Sequence, residues 1–349
     1  MLAELKLRNF RCFDAIEGCF APGMNVLCGP NAQGKTSLLE AICVLLRLQS
    51  PRSSIAAAIR HDQKGFLLDG RFAGRHMQFY LGEKRRKLAL DSVEQKSASE
   101  YLKIGRVVFF SNRDAEIVRG PAEGRRKFLD FAALQLDAGY RTHLRSYERA
   151  LRSRNLLLKE PRPNRRQIAA FDVPLVTAGE YLAAARRRLI DALDPHAKAA
   201  HNAISQSAET LLLGYRSASG GDFRRALEAA SAEDLRLRQT NAGPHRDDLD
   251  LHLNARSTEA ASEGQQRTVA LSLKLALCAL LAEHAARPPV LLIDDVFGEL
   301  DFQRRNSLLE QLPVGSQKFV TATDIGWMTS PEQAAVFWLD AGKLTLQEK

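Results

Sequence analysis

Residues 29–36 read Gly29-Pro30-Asn31-Ala32-Gln33-Gly34-Lys35-Thr36, a complete G-x-x-x-x-G-K-[ST] pattern. The pattern constrains the fold because it works only between a strand and a helix. Both neighbours are present. Met24 to Cys28 is a short apolar run that predicts a buried strand, and Ser37 to Leu46 predicts a helix with an apolar face. In that setting the glycines let the backbone wrap closely around a triphosphate. The helix N-terminus adds unpaired N–H groups and a partial positive charge. Lys35 is placed to reach the β- and γ-phosphates, Thr36 to ligate Mg²⁺, and Ser37 to continue the cradle. A chance Gly-rich turn would not supply strand, loop and helix together.

A second element lies far downstream. Pro289-Val290-Leu291-Leu292-Ile293-Asp294-Asp295 is an apolar run ending in two carboxylates. The run suits a central parallel strand covered on both faces. Carboxylates at its C-terminal end suit the ligand edge of an α/β sheet. Asp294 is the expected Mg²⁺ ligand, and Asp295 is placed to polarise an attacking water.

A third element, Ala261-Ser262-Glu263-Gly264-Gln265-Gln266-Arg267-Thr268, precedes a helical run from Val269 to Ala285. Ser262 is a candidate N-cap, and Gly264 leaves backbone exposed at the helix start. The segment has the makings of a second anion-binding helix terminus. Here the chain resembles the ABC ATPases, whose Ser-x-Gly-Gln signature in one subunit caps the γ-phosphate held by another. Glu299-Leu300-Asp301 stands where those proteins carry a D-loop. Thr323 stands where they usually carry a switch histidine. No Q-loop glutamine is identifiable.

Further segments narrow the resemblance. They are Leu7 to Phe13, Gly120-Pro121 followed by Arg125 to Asp130, Gly243-Pro244-His245-Arg246-Asp247-Asp248, and Ile293 to Asp301. Together they resemble the RecF family of bacterial SMC-like recombination mediators over essentially the whole chain. Departures are visible. Ser111-Asn112-Arg113 stands where the family usually has Ser-Pro-Glu, Gly298 where it has Ser, and Ser37 where Asn is common. The resemblance implies an α/β ABC/SMC-type ATPase head with an inserted, mainly helical lobe. It implies ATP and Mg²⁺ as cofactors, and Asn9 and Arg11 as further nucleotide contacts. It implies an ATP-dependent homodimer in which Lys35, Thr36, Asp294 and Asp295 of one copy meet Ser262, Gly264 and Gln265 of the other. The implied partners are DNA with gaps or single-strand/double-strand junctions, RecR and RecO, and RecA indirectly. Asp295 stands where fast ABC ATPases carry Glu, so weak, DNA-linked turnover is expected.

Composition sets the remaining bounds. The 349 residues are 45% hydrophobic and 26% charged, an ordinary globular balance. No apolar run of membrane-spanning length is free of charge; Val269 to Ala285, the nearest, contains Lys274 and Glu283. With Glu4 and Lys6 at the start, no signal segment is expected. The five cysteines lack metal or disulfide spacing and are read as reduced core thiols of a cytoplasmic protein.

The net charge is +9, and residues 121–240 carry 21 basic against 14 acidic side chains, +7 of it. Strand-like runs dominate up to about residue 115, and helical patterning follows. Tyr140 to Leu158 and Leu175 to Leu193 carry apolar stripes on either side of Pro161-Arg162-Pro163, and strand character returns at Leu249 to Leu253. The expected organisation is therefore 1–115 head, 116–235 helical lobe, and 236–349 head. Within the lobe Arg152, Arg154, Arg165 and Arg166 have few acids nearby in sequence, which makes them candidate contacts to a DNA backbone. Aromatics are sparse there, so base stacking is not indicated. Two rival classes remain. One is a structural DNA clamp that binds ATP without productive hydrolysis. The other is a transporter ATPase subunit, disfavoured by the long basic insert between Gly34 and Gly264.

Overall fold

The computed structural model describes residues 1–205, 209–328 and 333–347. The strands are β1 (Leu2–Phe10), β2 (Phe13–Cys19), β3 (Met24–Cys28), β4 (Gly65–Phe72), β5 (Arg75–Gly82), β6 (Arg86–Leu90), β7 (Val93–Glu94), β8 (Val107–Ser111), β9 (Leu211–Arg216), β10 (Asp248–Leu253), β11 (Arg256–Ser257), β12 (Val290–Asp294), β13 (Lys318–Ala322), β14 (Ala334–Asp340) and β15 (Lys343–Leu346). The helices are α1 (Lys35–Arg47), α2 (Ser99–Lys103), α3 (Ala115–Arg119), α4 (Ala122–Leu136), α5 (Tyr140–Leu158), α6 (Arg165–Ala169), α7 (Asp172–Ser205), α8 (Phe223–Ala229), α9 (Ser231–Leu237), α10 (Glu263–Glu283) and α11 (Phe302–Gln311). They form two compact units, one of residues 1–112 and 281–349, the other of residues 113–280.

The first unit holds two six-stranded sheets. One is antiparallel, in the order β2-β1-β4-β5-β6-β7. The other has the order β15-β14-β3-β13-β12-β8, parallel except for β15. The parallel strands are near-continuous apolar runs, as strands covered on both faces must be. Helix α1 packs on strands of both sheets. It is therefore buried on nearly every side from Ser37 to Arg47, not along one face as its sequence pattern suggests. Two of its charges go under with it. Glu40 is fully buried against Arg11, and Arg47 donates to the carbonyls of Leu102 (2.8 Å) and Gly105 (2.9 Å).

The second unit packs α5 and α4 on the long helix α7, beside the three-stranded sheet β11-β10-β9. Leu175, Leu182 and Leu189 form the buried stripe of α7, which continues through Pro195 to Ser205. By length and composition alone α7 is long and apolar enough to cross a membrane. Its stripe is spent instead on α5.

This division differs from the expected one at its C-terminal boundary, which falls at 280/281 and not at 235/236. The reason is pairing. β10 runs antiparallel to β9, Asp248 opposite Arg216 through Leu253 opposite Leu211, and Arg125 on α4 clasps Asp248. Most of α10 follows them into the second unit. The cysteines also divide: Cys28, Cys43 and Cys278 are buried, but Cys12 and Cys19 are exposed.

Candidate nucleotide site

The parallel sheet brings the carboxyl ends of four strands into line. Cys28 of β3 is beside Ala322 of β13, Thr321 beside Asp294 of β12, and Asp294 beside Ser111 of β8. The loop Gly29 to Gly34 leaves this edge and enters α1. Its glycines are required by space and by backbone. Gly29 has φ 145°, and a Cβ there would lie 2.2 Å from the Leu339 carbonyl oxygen. Gly34 has φ 100°, and a Cβ there would meet Phe13 Cζ at 2.6 Å and Cys12 Sγ at 2.7 Å. Ala32 adopts φ 65°, and Gln33 Oε1 accepts a hydrogen bond from the Ala341 amide at 3.1 Å.

Lys35 is 9% exposed, and its ammonium folds back onto the loop, donating to the carbonyls of Gly29 (2.5 Å) and Pro30 (3.0 Å). Burial lowers its pKa, opposed by the charges of Asp295, Cys28 and Asp294. Thr36 Oγ1 donates to Asp294 Oδ1 at 2.7 Å. A helix hydroxyl and a strand carboxylate, 258 residues apart in sequence, thus meet at one point. These are the hard oxygen donors Mg²⁺ takes. With the glycine cradle and the lysine beside them, the side chains fit a Mg-triphosphate.

Asp295 breaks the strand with φ 55°, a left-handed conformation that aspartate tolerates better than most non-glycine residues. The turn lifts its carboxyl to the solvent side. The crowded pocket around that carboxyl, and then Asp294 next to it, raise its pKa, with Lys35 opposing. Asp295, Phe297, Gly298, Thr321, Thr323 and Trp327 line part of a cavity of about 290 Å³. Thr323, the residue at the switch position, therefore faces the same space as Asp295.

Other expected residues have structural tasks. Arg11 donates to Glu40 (2.7 and 2.9 Å), Ser53 (2.8 Å) and the Ala57 carbonyl (2.7 Å). Asn9 is half-buried in β1, with φ 57°.

The signature residues belong to the second unit. Ser262 Oγ accepts from the Gln265 amide at 3.3 Å, and Gln265 Oε1 accepts from the Ser262 amide at 2.8 Å. This reciprocal capping box starts α10 at Glu263, earlier than its apolar periodicity does. Gln265 Nε2 also donates to Glu209 at 2.6 Å. The signature glutamine is thus held from two directions. The side chain of Glu299, in the D-loop segment, lies outside the described residues; Asp301 caps α11 by accepting from the Arg304 amide at 2.8 Å.

The candidate DNA contacts divide. Arg152, Arg165 and Arg166 are exposed. Arg154 is not a surface cation. It is 2% exposed and donates to Asp234 and Thr240 (both 2.8 Å) and to Asp172 (2.9 Å). It lies on the inward stripe of α5 with Tyr147, Ala150 and Leu158, and this phase, not the local charge, decides its role.

The family model of the RecF/RecN/SMC N terminal domain matches residues 1–337. The DNA replication and repair protein RecF of Symbiobacterium thermophilum is 35% identical over 370 residues, covering 100% of this chain and 99% of that protein. RecF of Lactococcus lactis subsp. lactis is 32% identical over 356 residues, covering 99% of each. A solved structure of the recombination mediator protein RecF-ATP in the RecFOR pathway superposes with a TM-score of 0.89 at 29% identity, covering 99% of this chain and 97% of that one. An Smc head bound to the C-winged helix domain of ScpA gives 0.57 at 14% identity, a likeness of fold alone. The fold is thus an α/β head of the SMC type with a mainly helical insertion.

Proposed function

The chain belongs to the RecF family of SMC-type ATP-binding heads, and from that membership and the site geometry we propose that it is an ATP-dependent, DNA-binding recombination mediator. The observation that carries the nucleotide half is the meeting of Thr36 Oγ1 with Asp294 Oδ1 beside the Lys35 cradle. Lys35 exchanges its two carbonyl acceptors for phosphate oxygens, which accept more strongly because they are charged. Thr36 and Asp294 would hold Mg²⁺, which would offset charge on the triphosphate. Asp295 takes the proton of an attacking water. Turnover is weak, because Asp is one methylene shorter than Glu.

The signature on α10 of one copy caps the nucleotide held by another, so ATP drives pairing of two chains. Ser262 is exposed and its helix is capped before any partner arrives, which supports this reading. DNA is held through its backbone at gaps or single-strand/double-strand junctions, with Arg152, Arg165 and Arg166 as contacts. RecR and RecO act with the protein in the cytoplasm, and RecA is loaded as the outcome. Light scattering with ATP, with gapped DNA and with both tests the scheme. A dimer formed only with ATP, and stabilised by DNA, is the expected result. A monomer under all three conditions overturns it.

A further inference from the structure

Asp295 stands in the left-handed backbone conformation, which aspartate tolerates better than most non-glycine residues, and two side chains from flanking segments hold it there. Thr321 Oγ1 on β13 accepts a hydrogen bond from the Asp295 amide at 2.9 Å and donates to Asp294 Oδ1 at 2.9 Å. Thr321 is 3% exposed, so water does not compete for these bonds. On the other flank Asn112, the residue after β8, donates from Nδ2 to the Asp295 carbonyl at 3.1 Å. Both backbone groups of Asp295 are thus bound by side chains, one on the adjacent strand β13 and one just past the end of β8. Strand register makes this possible, since Thr321 and Ser111 are the two neighbours of Asp294 across the sheet. The same Thr321 hydroxyl ties the metal-ligating carboxylate to the turn that carries the base.

We propose that Thr321 and Asn112 are positioning residues that brace the Asp294–Asp295 turn and so set where Asp295 meets the attacking water. The proposal rests on the reading of Asp295 as that base. The carbonyl clasp and the Thr321 clasp grip different backbone groups of Asp295, so the Thr321 clasp does not depend on Asn112.

The chemistry of the brace dictates the variants. Thr321→Val keeps the shape and removes both hydrogen bonds, Thr321→Ser restores them, and Asn112→Ala removes the carbonyl clasp from an exposed position. Two readouts are needed. The first is hydrogen exchange of the Asp295 amide in nucleotide-free protein, resolved to the single residue. In Thr321→Val it speeds up by about fivefold or more, the equivalent of one net hydrogen bond, while Thr321→Ser stays near wild type. The second is single-turnover ATP hydrolysis beside ATP affinity. A misplaced base lowers the rate on the order of 100-fold, against a small change in affinity. Thr321→Ser recovers most of that rate, and Asn112→Ala loses less than Thr321→Val.

Unchanged exchange of the Asp295 amide in Thr321→Val overturns the brace. So does a fall in affinity that matches the fall in rate, or a Thr321→Ser variant as slow as Thr321→Val. Asp295→Asn separates the layers. If it abolishes hydrolysis while Thr321→Val keeps the wild-type rate, the brace is refuted and the base stands. If Asp295→Asn turns over at the wild-type rate, the base assignment fails and takes the proposal with it.

Discussion

Arg154 provides a direct test of whether charge or burial decides the role of an arginine in the second unit. Its guanidinium is almost inaccessible and faces Asp234, which is fully buried, and Asp172, which is partly exposed. Arg154→Leu removes the cation and keeps much of the volume. Breaking a buried pair by deleting one partner costs about 3–5 kcal/mol. The lower end applies here, because Asp234 keeps the amide of Asn241 (2.9 Å) and its Nδ2 (3.0 Å) as donors. At about 2–4 °C per kcal/mol for a unit of this size, 3 kcal/mol lowers the melting transition by about 6–12 °C. The comparison variant replaces Arg152, Arg165 and Arg166 together with Glu. These are exposed, so stability changes little, but each lost phosphate contact reduces the log–log salt slope of DNA binding by about 0.7–0.9. Calorimetry and a salt titration on gapped DNA read both variants. An Arg154→Leu protein with an unchanged melting point and a flattened salt slope would refute the reasoning, because the guanidinium would then be a phosphate contact.

Three other outcomes follow from the site. Lys35→Ala removes the charged donor to the phosphates and weakens ATP binding roughly 10- to 100-fold, with loss of ATP-driven dimers by light scattering; dimers that persist with ATP would show that nucleotide does not hold the pair. Ser262→Arg blocks the exposed end of α10, so ATP still binds, at near wild-type affinity by equilibrium titration, but to monomers; affinity lost as badly as in Lys35→Ala means the signature acts within its own chain. Only ionised Asp295 accepts a proton, so the single-turnover rate falls as pH drops through its pKa. Asp295→Asn loses that limb of the pH profile, and an acid limb that survives in the variant belongs to another group.

The nucleotide cradle was legible in the sequence because its constraints are local. Glycines at 29 and 34 answer to φ angles and close contacts inside one loop, and a lysine and threonine follow at fixed spacing. Asp294 was legible for a related reason: an apolar run that ends in carboxylates marks the end of a covered parallel strand. The brace on Asp295 was not, since Thr321 on β13 and Asn112 just after β8 are brought to it only through the sheet. The unit boundary was missed for the same cause. Leu249 to Leu253 reads as a strand, but nothing nearby in sequence says that it pairs with Leu211 to Arg216. Arg154 was misread although a local signal existed. It stands seven residues after Tyr147 and four before Leu158, so it shares the buried face of α5.

The motifs that carry the resemblance but no nucleotide chemistry find their task in the second unit. Arg125 grips Asp248 with two parallel bonds (2.7 and 2.8 Å) and reaches the Gly120 carbonyl (2.8 Å), while Arg126 donates to the Asp247 carbonyl (2.8 Å). Arg186 joins Asp130 (2.7 Å) to the Pro244 carbonyl (2.7 Å). Gly120 to Asp130 and Gly243 to Asp248 are therefore two halves of one lock, and Arg125, Arg126 and Arg186 are committed to protein acceptors. Burial alone would raise the Asp248 carboxyl, but the hydrogen bonds and charge of Arg125, with the Leu249 amide and Arg216, hold it below the ordinary range. Its contribution to stability is thus present above the ordinary aspartate pKa and is lost only as pH falls through the lowered one. At neutral pH the lock is fully formed. The unit it stiffens also carries Gln265, pinned to Glu209, at the start of α10. Under the proposed pairing of two copies, Gln265 has to be in place before the second copy arrives, and a satisfied polar core achieves this with no ligand bound.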